Sequence, residues 1–419
     1  MRRCDRVRKV RAALASAVAM LALTTGCTVH GQPMPQRPDL GALDIGGYSL
    51  DPLHEPAVDN EKYGRVMESI RLGEVMADPA EADSTLTFPM SGFTAVPLPT
   101  PAKAGAYLAA PVRPVLEKWG MLAGFAVGRA DKDIERTPVV GAARLLTVLV
   151  LRFPASTAAQ RAAEEIDSVD ASVSPENVSV TIPEYPAAHG HWRPTVPTIA
   201  VSLAHESFVV TLLGGHTAAD LTALTTLARK AFDAQLPRLR GFALTPREQL
   251  AALPLDRDGM VARMVPKAPG RWPFPAVAFG TEQENAGWKS APQASGVVYG
   301  THATLLYRGI GKPNPPELMA FNGLEALMRF PNVAAARTSF AKAQDRVDKD
   351  GRRSVPGPTG VPDVTCAKEP DGLTALPFNY SCTVWYGRYV AVLFGRDLHD
   401  FQQRVAAQYG LLVNSERGT

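Results

Sequence analysis

The feature that most constrains this chain is an internal duplication. "RFPASTAAQRAA", beginning at Arg152, shares five identities in twelve positions with "RFPNVAAARTSF", beginning at Arg329, at an offset of 177. Further along, "FVVTLLG" from Phe208 aligns with "YVAVLFG" from Tyr389 at an offset of 181. Two similar offsets in the same order mark two copies of one unit, and two copies make a tandem pair rather than a solenoid. One topology must therefore serve both halves.

The unit can be read from its first copy. "ARLLTVLVLRF" is a near-continuous apolar run ended by Pro154, as in a buried strand. Ser156 or Thr157 then caps a helix through "AAQRAAEEI". "TIAVSLAHESFVVTLLG" reads as two strands around a turn at His205 to Ser207, with the β-branched enrichment strands prefer. Thr217 opens a helix in which Leu221, Leu224, Ala228, Ala231 and Gln235 recur at helical spacing.

In the second copy the strand is "NGLEALMRF", a helix follows Asn332, and the hairpin "YSCTVWYGRYVAVLFG" turns near Gly387. Its last helix begins after Asp397 and buries Leu398, Phe401, Val405 and Tyr409. A less regular stretch precedes each unit. "NEKYGRVMESIRLGEVMA" is an amphipathic helix with Tyr63, Val66, Met67 and Ile70 on one face, "MLAGFAVGRA" is a further strand, and "TPRE" from Thr245 is a capping box. The expected class is α+β, with two tandem, weakly similar domains, each a mainly antiparallel sheet with helices packed on one face. The expected divisions are 43–240 and 241–419.

The chain opens on "MRRCDRVRKVR", six bases against one acid, followed by 15 residues from Ala12 to Gly26 with no charge. A membrane-spanning helix needs about 20 apolar residues, whereas a basic start, a short apolar core and small residues before a break make an export signal. "ALASAVA" lies too early for the usual exit, so Cys27 is the expected boundary, with 1–26 removed and 27–42 a Pro-bearing tether. Cleavage without a lipid and an uncleaved anchor are the two alternatives. With the leader gone the net charge changes from +3 to −2, which leaves no positive field to attract nucleic acid. Beyond Cys27 at the boundary, only Cys366 and Cys382 then remain in the folded body, and an even pair in an exported chain is expected to form a disulfide.

The leader, in which Leu23 stands four residues before Cys27, resembles a bacterial lipobox. Together with "LDIGGYSLDP", "LDRDGMVARM" and the ending "GRYVAVLFGRDLHDFQQRVAAQYGLL", it is similar to a family of actinobacterial, mycobacterial or nocardial-type cell-envelope lipoproteins of unknown function. The resemblance implies export, a diacylglycerol on the Cys27 thiol, membrane attachment through that lipid anchor on the extracytoplasmic face, and a two-part body. It carries over no catalytic residue.

Chemistry is not advertised elsewhere. No G-x-S-x-G, Walker-type or strand-led G-x-G-x-x-G motif occurs. His189 and His191 in "AAHGHW" are flanked by proline and glycine, read as a loop, and lack a third ligand. In the "DRDG" and "DKDG" stretches at Asp256 and Asp348, Pro254 and Arg346 fall where a calcium loop needs its first carboxylate, so both are acidic turns. No cofactor and no metal are expected. Trp272, Phe274, Trp288, Tyr299 and Tyr307 lie in an irregular part of the second half and belong either to core packing or to a groove for a sugar ring or acyl chain. The expected role is non-catalytic binding or assembly at the envelope, the ligand being a lipid, glycan or protein held between the halves. A motif-less hydrolase or transferase and a purely structural surface lipoprotein are the alternatives.

Overall fold

The computed structural model describes residues 39–90, 94–134, 139–278, 293–309, 313–347, 351–370 and 378–416. The leader, Cys27, the tether up to residue 38, Trp288 and Asp348 lie outside the described residues.

Strands β1 (Phe88–Pro89), β2 (Val96–Pro97), β3 (Ala123–Ala130), β4 (Leu145–Arg152), β5 (Val178–Ile182), β6 (Tyr185–Trp192), β7 (Thr198–His205) and β8 (Phe208–Gly215) form one antiparallel sheet in the order β1-β3-β4-β8-β7-β6-β5, with β2 beside β3. Strands β9 (Ala276–Ala278), β10 (Gln293–Tyr299), β11 (Leu318–Asn322), β12 (Glu325–Arg329), β13 (Arg353–Val355), β14 (Val364–Lys368), β15 (Tyr380–Tyr386) and β16 (Tyr389–Gly395) form a second, ordered β13-β14-β15-β16-β12-β11-β10-β9. The described helices are α1 (Glu61–Leu72), α2 (Pro79–Ala82), α3 (Pro101–Gly105), α4 (Val112–Lys118), α5 (Ser156–Ala171), α6 (Leu221–Leu239), α7 (Thr301–Arg308), α8 (Val333–Gln344) and α9 (Leu398–Ser415).

The duplication is exact in strand order. β3-β4-β8-β7-β6-β5 maps onto β11-β12-β16-β15-β14-β13, α5 onto α8 and α6 onto α9. Register agrees too: Leu149 pairs with Thr211 in the first sheet, and Ala326 pairs with Val392 at the corresponding place in the second. These are the two sequence offsets, 177 on one strand and 181 on its neighbour.

The α+β class and the tandem sheets match expectation, whereas helices cover the first sheet on both faces rather than one. All eight residues of β3 and of β4 are buried, and a strand apolar on both sides needs cover on both. Ala159, Ala162, Ala163 and Ile166 of α5 share a core with Leu149, Leu151 and Val209. Leu224, Ala228, Ala231 and Phe232 of α6 share the opposite core with Phe208, Val210 and Leu212. Alternate residues of one strand thus serve two layers.

Several local expectations change. α5 begins at Ser156, so neither Ser156 nor Thr157 caps it, and its N-cap Ala155 offers no side chain. α6 begins at Leu221 under an Asp220 cap, its carboxylate accepting from the Ala223 N–H, because an aspartate closes the first turn where Thr217 is too distant. "AAHGHW" is strand β6 and not a loop. The ladder tolerates Pro186 because it sits beside an irregularity in the β5–β6 register. Cys366 lies on β14, directly opposite Cys382 on β15, and the two form a disulfide with Cα atoms 4.1 Å apart. Thr245 caps nothing, since the 3-10 turn at Arg247–Ala252 has Pro246 as its N-cap. Its hydroxyl instead donates to buried Glu68 at 2.8 Å, and Glu68 also pairs with Arg152 and Arg71.

Asn332 and Asp397 do cap α8 and α9 through their side chains, and Gly387 takes a φ of 55° in the β15–β16 turn. Asp256 accepts the Val261 and Ala262 N–H groups at 2.8 and 2.9 Å, which makes "DRDG" the acidic turn its sequence suggests.

Polar contacts tie the two sheets' surroundings together. Arg129 on β3 is 1% exposed and pairs with Asp78, 2% exposed, through Nη2 at 2.8 Å, and the same nitrogen donates to the Leu306 carbonyl of α7 at 2.6 Å. Glu74 accepts the N–H groups of His302 and Ala303 at 3.3 and 3.1 Å, where an acid favours a helix N-terminus. Tyr299 Oη donates to the Ala95 carbonyl at 3.0 Å. Near the chain's start, Tyr48 donates to Asp400, Asp44 accepts from Gln403, and the Leu50 carbonyl accepts from Asn414, so residues 44–50 lie along α9.

Candidate functional site

The duplicated units differ most on the face covered by α5 in the first and α8 in the second. Sheet register fixes the equivalences. Ala200 pairs with His191 and Leu213, and Ser381 pairs with Ala367 and Phe394, so His191 and Ala367 occupy the same place. In the first unit His191 fills that place, its Nδ1 2.7 Å from Asp167 on α5. In the second, Ala367 leaves it open. The residue of α8 facing Asp167's place is Gln344, by the offset of 177. α8 also spans 12 residues against 16 in α5.

Two adjoining cavities result. One, of about 250 Å³, lies between α8 and strands β14, β15 and β16, with Thr365, Ser381, Thr383 and Val390 on its floor. The other, of about 460 Å³, is walled on one side by Thr94–Pro97 and on the other by Ala294, Tyr299, Met319, Phe321 and Ala326, with Tyr307 of α7. Arg308, Met328 and Val392 line both, which makes them two arms of one recess. The larger arm takes one wall from each half of the chain and falls in the size range of small-molecule sites, about 300 to 1,000 Å³. Its rings form an edge-to-face cluster: Tyr299–Phe321 and Tyr307–Phe321 centroids are each 4.9 Å apart.

The smaller arm is charged. Arg308, Lys342, Arg346 and Arg352 line it, and among the described residues no acid does. Arg352 donates to Glu369 at 2.9 Å, and Glu369 in turn accepts from Ser381 at 2.6 Å. Among the described residues Arg308, Lys342 and Arg346 have no carboxylate partner; Arg308 Nη1 instead lies 3.7 Å from Met328 Sδ. Burial lowers the pKa of Arg308, opposed by Tyr307 and reinforced by the charge of Arg346. At the places of Lys342 and Arg346, α5 carries Glu165 and Val169. Glu165 is spent on Lys118 and Trp119 Nε1, at 2.8 and 2.7 Å. The same scaffold is thus plugged and acid-lined in one copy, open and basic in the other.

Of the residues singled out from sequence, Phe274 stacks on Tyr63, with centroids 4.9 Å apart and planes 11° from parallel. Trp272 is half-buried, its Nε1 buried without a hydrogen-bond partner among the described residues. The Pro273 carbonyl crosses so close to Gly296 that a Cβ there would sit 1.9 Å from it, which explains the glycine and its φ of 61°. Neither Trp272 nor Phe274 lines the recess. Of the aromatics read from sequence, Tyr299 and Tyr307 do line it; sequence reasoning passed over Arg308, Phe321, Lys342 and Arg346, since residues so far apart become neighbours only once the sheet order is known. Among the described residues no group of three or more His, Cys, Asp or Glu could hold a metal, and no helix is long and apolar enough to cross a membrane.

Comparison with curated proteins returns no match. Among solved structures the chain is similar to the extracellular domain of PknH from Mycobacterium tuberculosis, at 11% identity and a TM-score of 0.26, over 44% of this chain and 97% of that one. The profile "Domain of unknown function (DUF7373) N-terminal" matches residues 55–255, and "Domain of unknown function (DUF7373) C-terminal" matches residues 260–415. With both profiles met in order over most of its length, the chain belongs to the DUF7373 family.

Proposed function

We propose that this protein is an exported, lipid-anchored envelope protein of actinobacterial type that binds a small apolar ligand without transforming it, in the cleft between its two halves. The observation that carries the reading is the recess of about 460 Å³ with Thr94–Pro97 as one wall and β10–β12 as the other. Concave, mostly apolar sites with a few polar groups are the usual form of ligand pockets, and they favour junctions between structural units. The leader supports the address: a basic start, a short apolar core and Cys27. Two acyl chains on Cys27 give the durable membrane residence that one chain does not.

A neutral solvatochromic dye, Nile red, tests the cleft. Wild-type protein is expected to bind it with a blue shift, and Ala326→Phe, which fills the recess, to weaken binding by about tenfold or more with an unchanged melting temperature. Equal binding by both proteins rejects the cleft. For the anchor, partitioning into the detergent phase is expected for protein from native membranes and is expected to be lost in Cys27→Ser; partitioning that survives the substitution rejects lipidation.

A further inference from the structure

We infer that the ligand of this recess is a single-chain anionic amphiphile, its chain lying in the apolar arm and its head among Arg308, Lys342 and Arg346. This rests on the binding role proposed above and names the chemistry the site selects. The apolar arm alone would accept any slender hydrophobe. It is continuous, however, with an arm lined by four cations and, among the described residues, by no carboxylate; Glu369 beside it is already engaged by Arg352 and Ser381.

Arg308 stands at the junction and belongs to both arms. Like charges gathered in a cleft with low-dielectric walls repel one another and focus their field outward. An anion placed between them relieves that repulsion and can accept charge-assisted hydrogen bonds from guanidinium and ammonium donors. Thr365 and Thr383 on the floor add hydroxyl donors below the head. An anion without a tail would leave the aromatic arm wet, and a tail without a charge would leave the cations unpaired. Only a molecule with both satisfies the whole recess.

The duplication supplies an internal control. The first unit has the same strands in the same register, yet it carries no such cluster: His191 and Asp167 fill the place of Ala367 and Gln344, and Glu165 and Val169 stand where Lys342 and Arg346 do. The cations are therefore not dictated by the architecture.

Full-length protein would be titrated with dodecyl phosphate, dodecanoate, dodecanol and inorganic phosphate by calorimetry, all below micellar concentrations. Dodecyl phosphate and dodecanoate are expected to bind about tenfold or more tighter than dodecanol, a hydrogen bond to a charged group being the stronger kind. The ratio between the two acids separates a phosphate head from a carboxylate head. Lys342→Gln combined with Arg346→Gln alters two exposed side chains, so the fold is kept; it should erase that preference and its salt dependence while leaving dodecanol binding unchanged.

Equal binding of dodecanol and both acids overturns the anionic selection and leaves the apolar cleft standing. Inorganic phosphate binding as tightly as dodecyl phosphate overturns the amphiphile. No binding by any chained probe overturns the cleft reading itself.

Discussion

The α5 face of the first sheet and the α8 face of the second are built on one plan and finished in opposite ways. In the first, three fully buried alanines let α5 sit close on Leu149, Leu151 and Val209, and the His191–Asp167 pair seals the far end. In the second, α8 carries Ser339 where α5 has Ala162, the floor is small and hydroxylated, and space remains. A duplicated scaffold lets one copy supply stability while the other forgoes packing, and packing density rather than topology separates them.

That comparison can be sharpened first through the disulfide, the largest expected effect. Cys366–Cys382 bridges a cross-strand pair whose counterpart in the first sheet is Gly190–Val201, where Val201 packs directly over the glycine. Replacing both cysteines by serine is expected to cost about 3 kcal/mol in the chain-entropy picture, read as a lowered denaturation midpoint. An unchanged midpoint would mean that the second unit, like the first, is held without its bridge.

A matched pair of substitutions probes packing itself. Ala162→Leu overfills a fully buried site and should destabilise by about 1–3 kcal/mol. Ser339→Leu, its equivalent on α8, enters the open recess and should stay within about 0.5 kcal/mol. Equal losses in urea melts would show that the second face is as tightly packed as the first.

The smallest effect concerns pH. Burial raises the Asp170 carboxyl above its ordinary value of 3.8, with His191 opposing and Asp167 adding to the shift. A raised folded-state pKa means the folded chain holds its proton longer, so stability falls as pH rises from 3.8 through the folded value. Asp170→Asn removes that loss. The variant should melt higher than wild type at neutral pH and match it below pH 3.8, whereas the second unit, with Val347 at this place, has no such dependence to remove. A melting difference independent of pH would contradict the assignment.

Much of the fold was legible because burial writes itself into apolar runs. β4, β8, β12, β15 and β16 lie where continuous or alternating hydrophobic stretches end in Gly or Pro, β7 lies where one ends at the His205–Ser207 turn, and Asn332 and Asp397 cap as their positions suggest. β5 and β6 were hidden by Pro183, Pro186 and Gly190, residues that punctuate a sequence even where a sheet accommodates them. β14 was hidden by its short length and its polar surroundings. The recess was illegible for a different reason: its cations come from α7, α8 and the segments after them, and only the strand order brings these together. The aromatic stretch around Trp272 drew attention by composition, yet Phe274 is occupied with Tyr63.

The clasp between residues 44–50 and α9 has a consequence for how the chain is made. Residues 44–50 find their partners, Asp400, Gln403 and Asn414, more than 350 positions later. A ribosome working from one end to the other therefore finishes the final helix before the opening residues have anything to dock on, and closing so distant a loop is an entropic task reserved for the end. Until that moment Leu43 and Leu50, which lie against Gly410 in the finished protein, remain in water as a recognisable handle for chaperones.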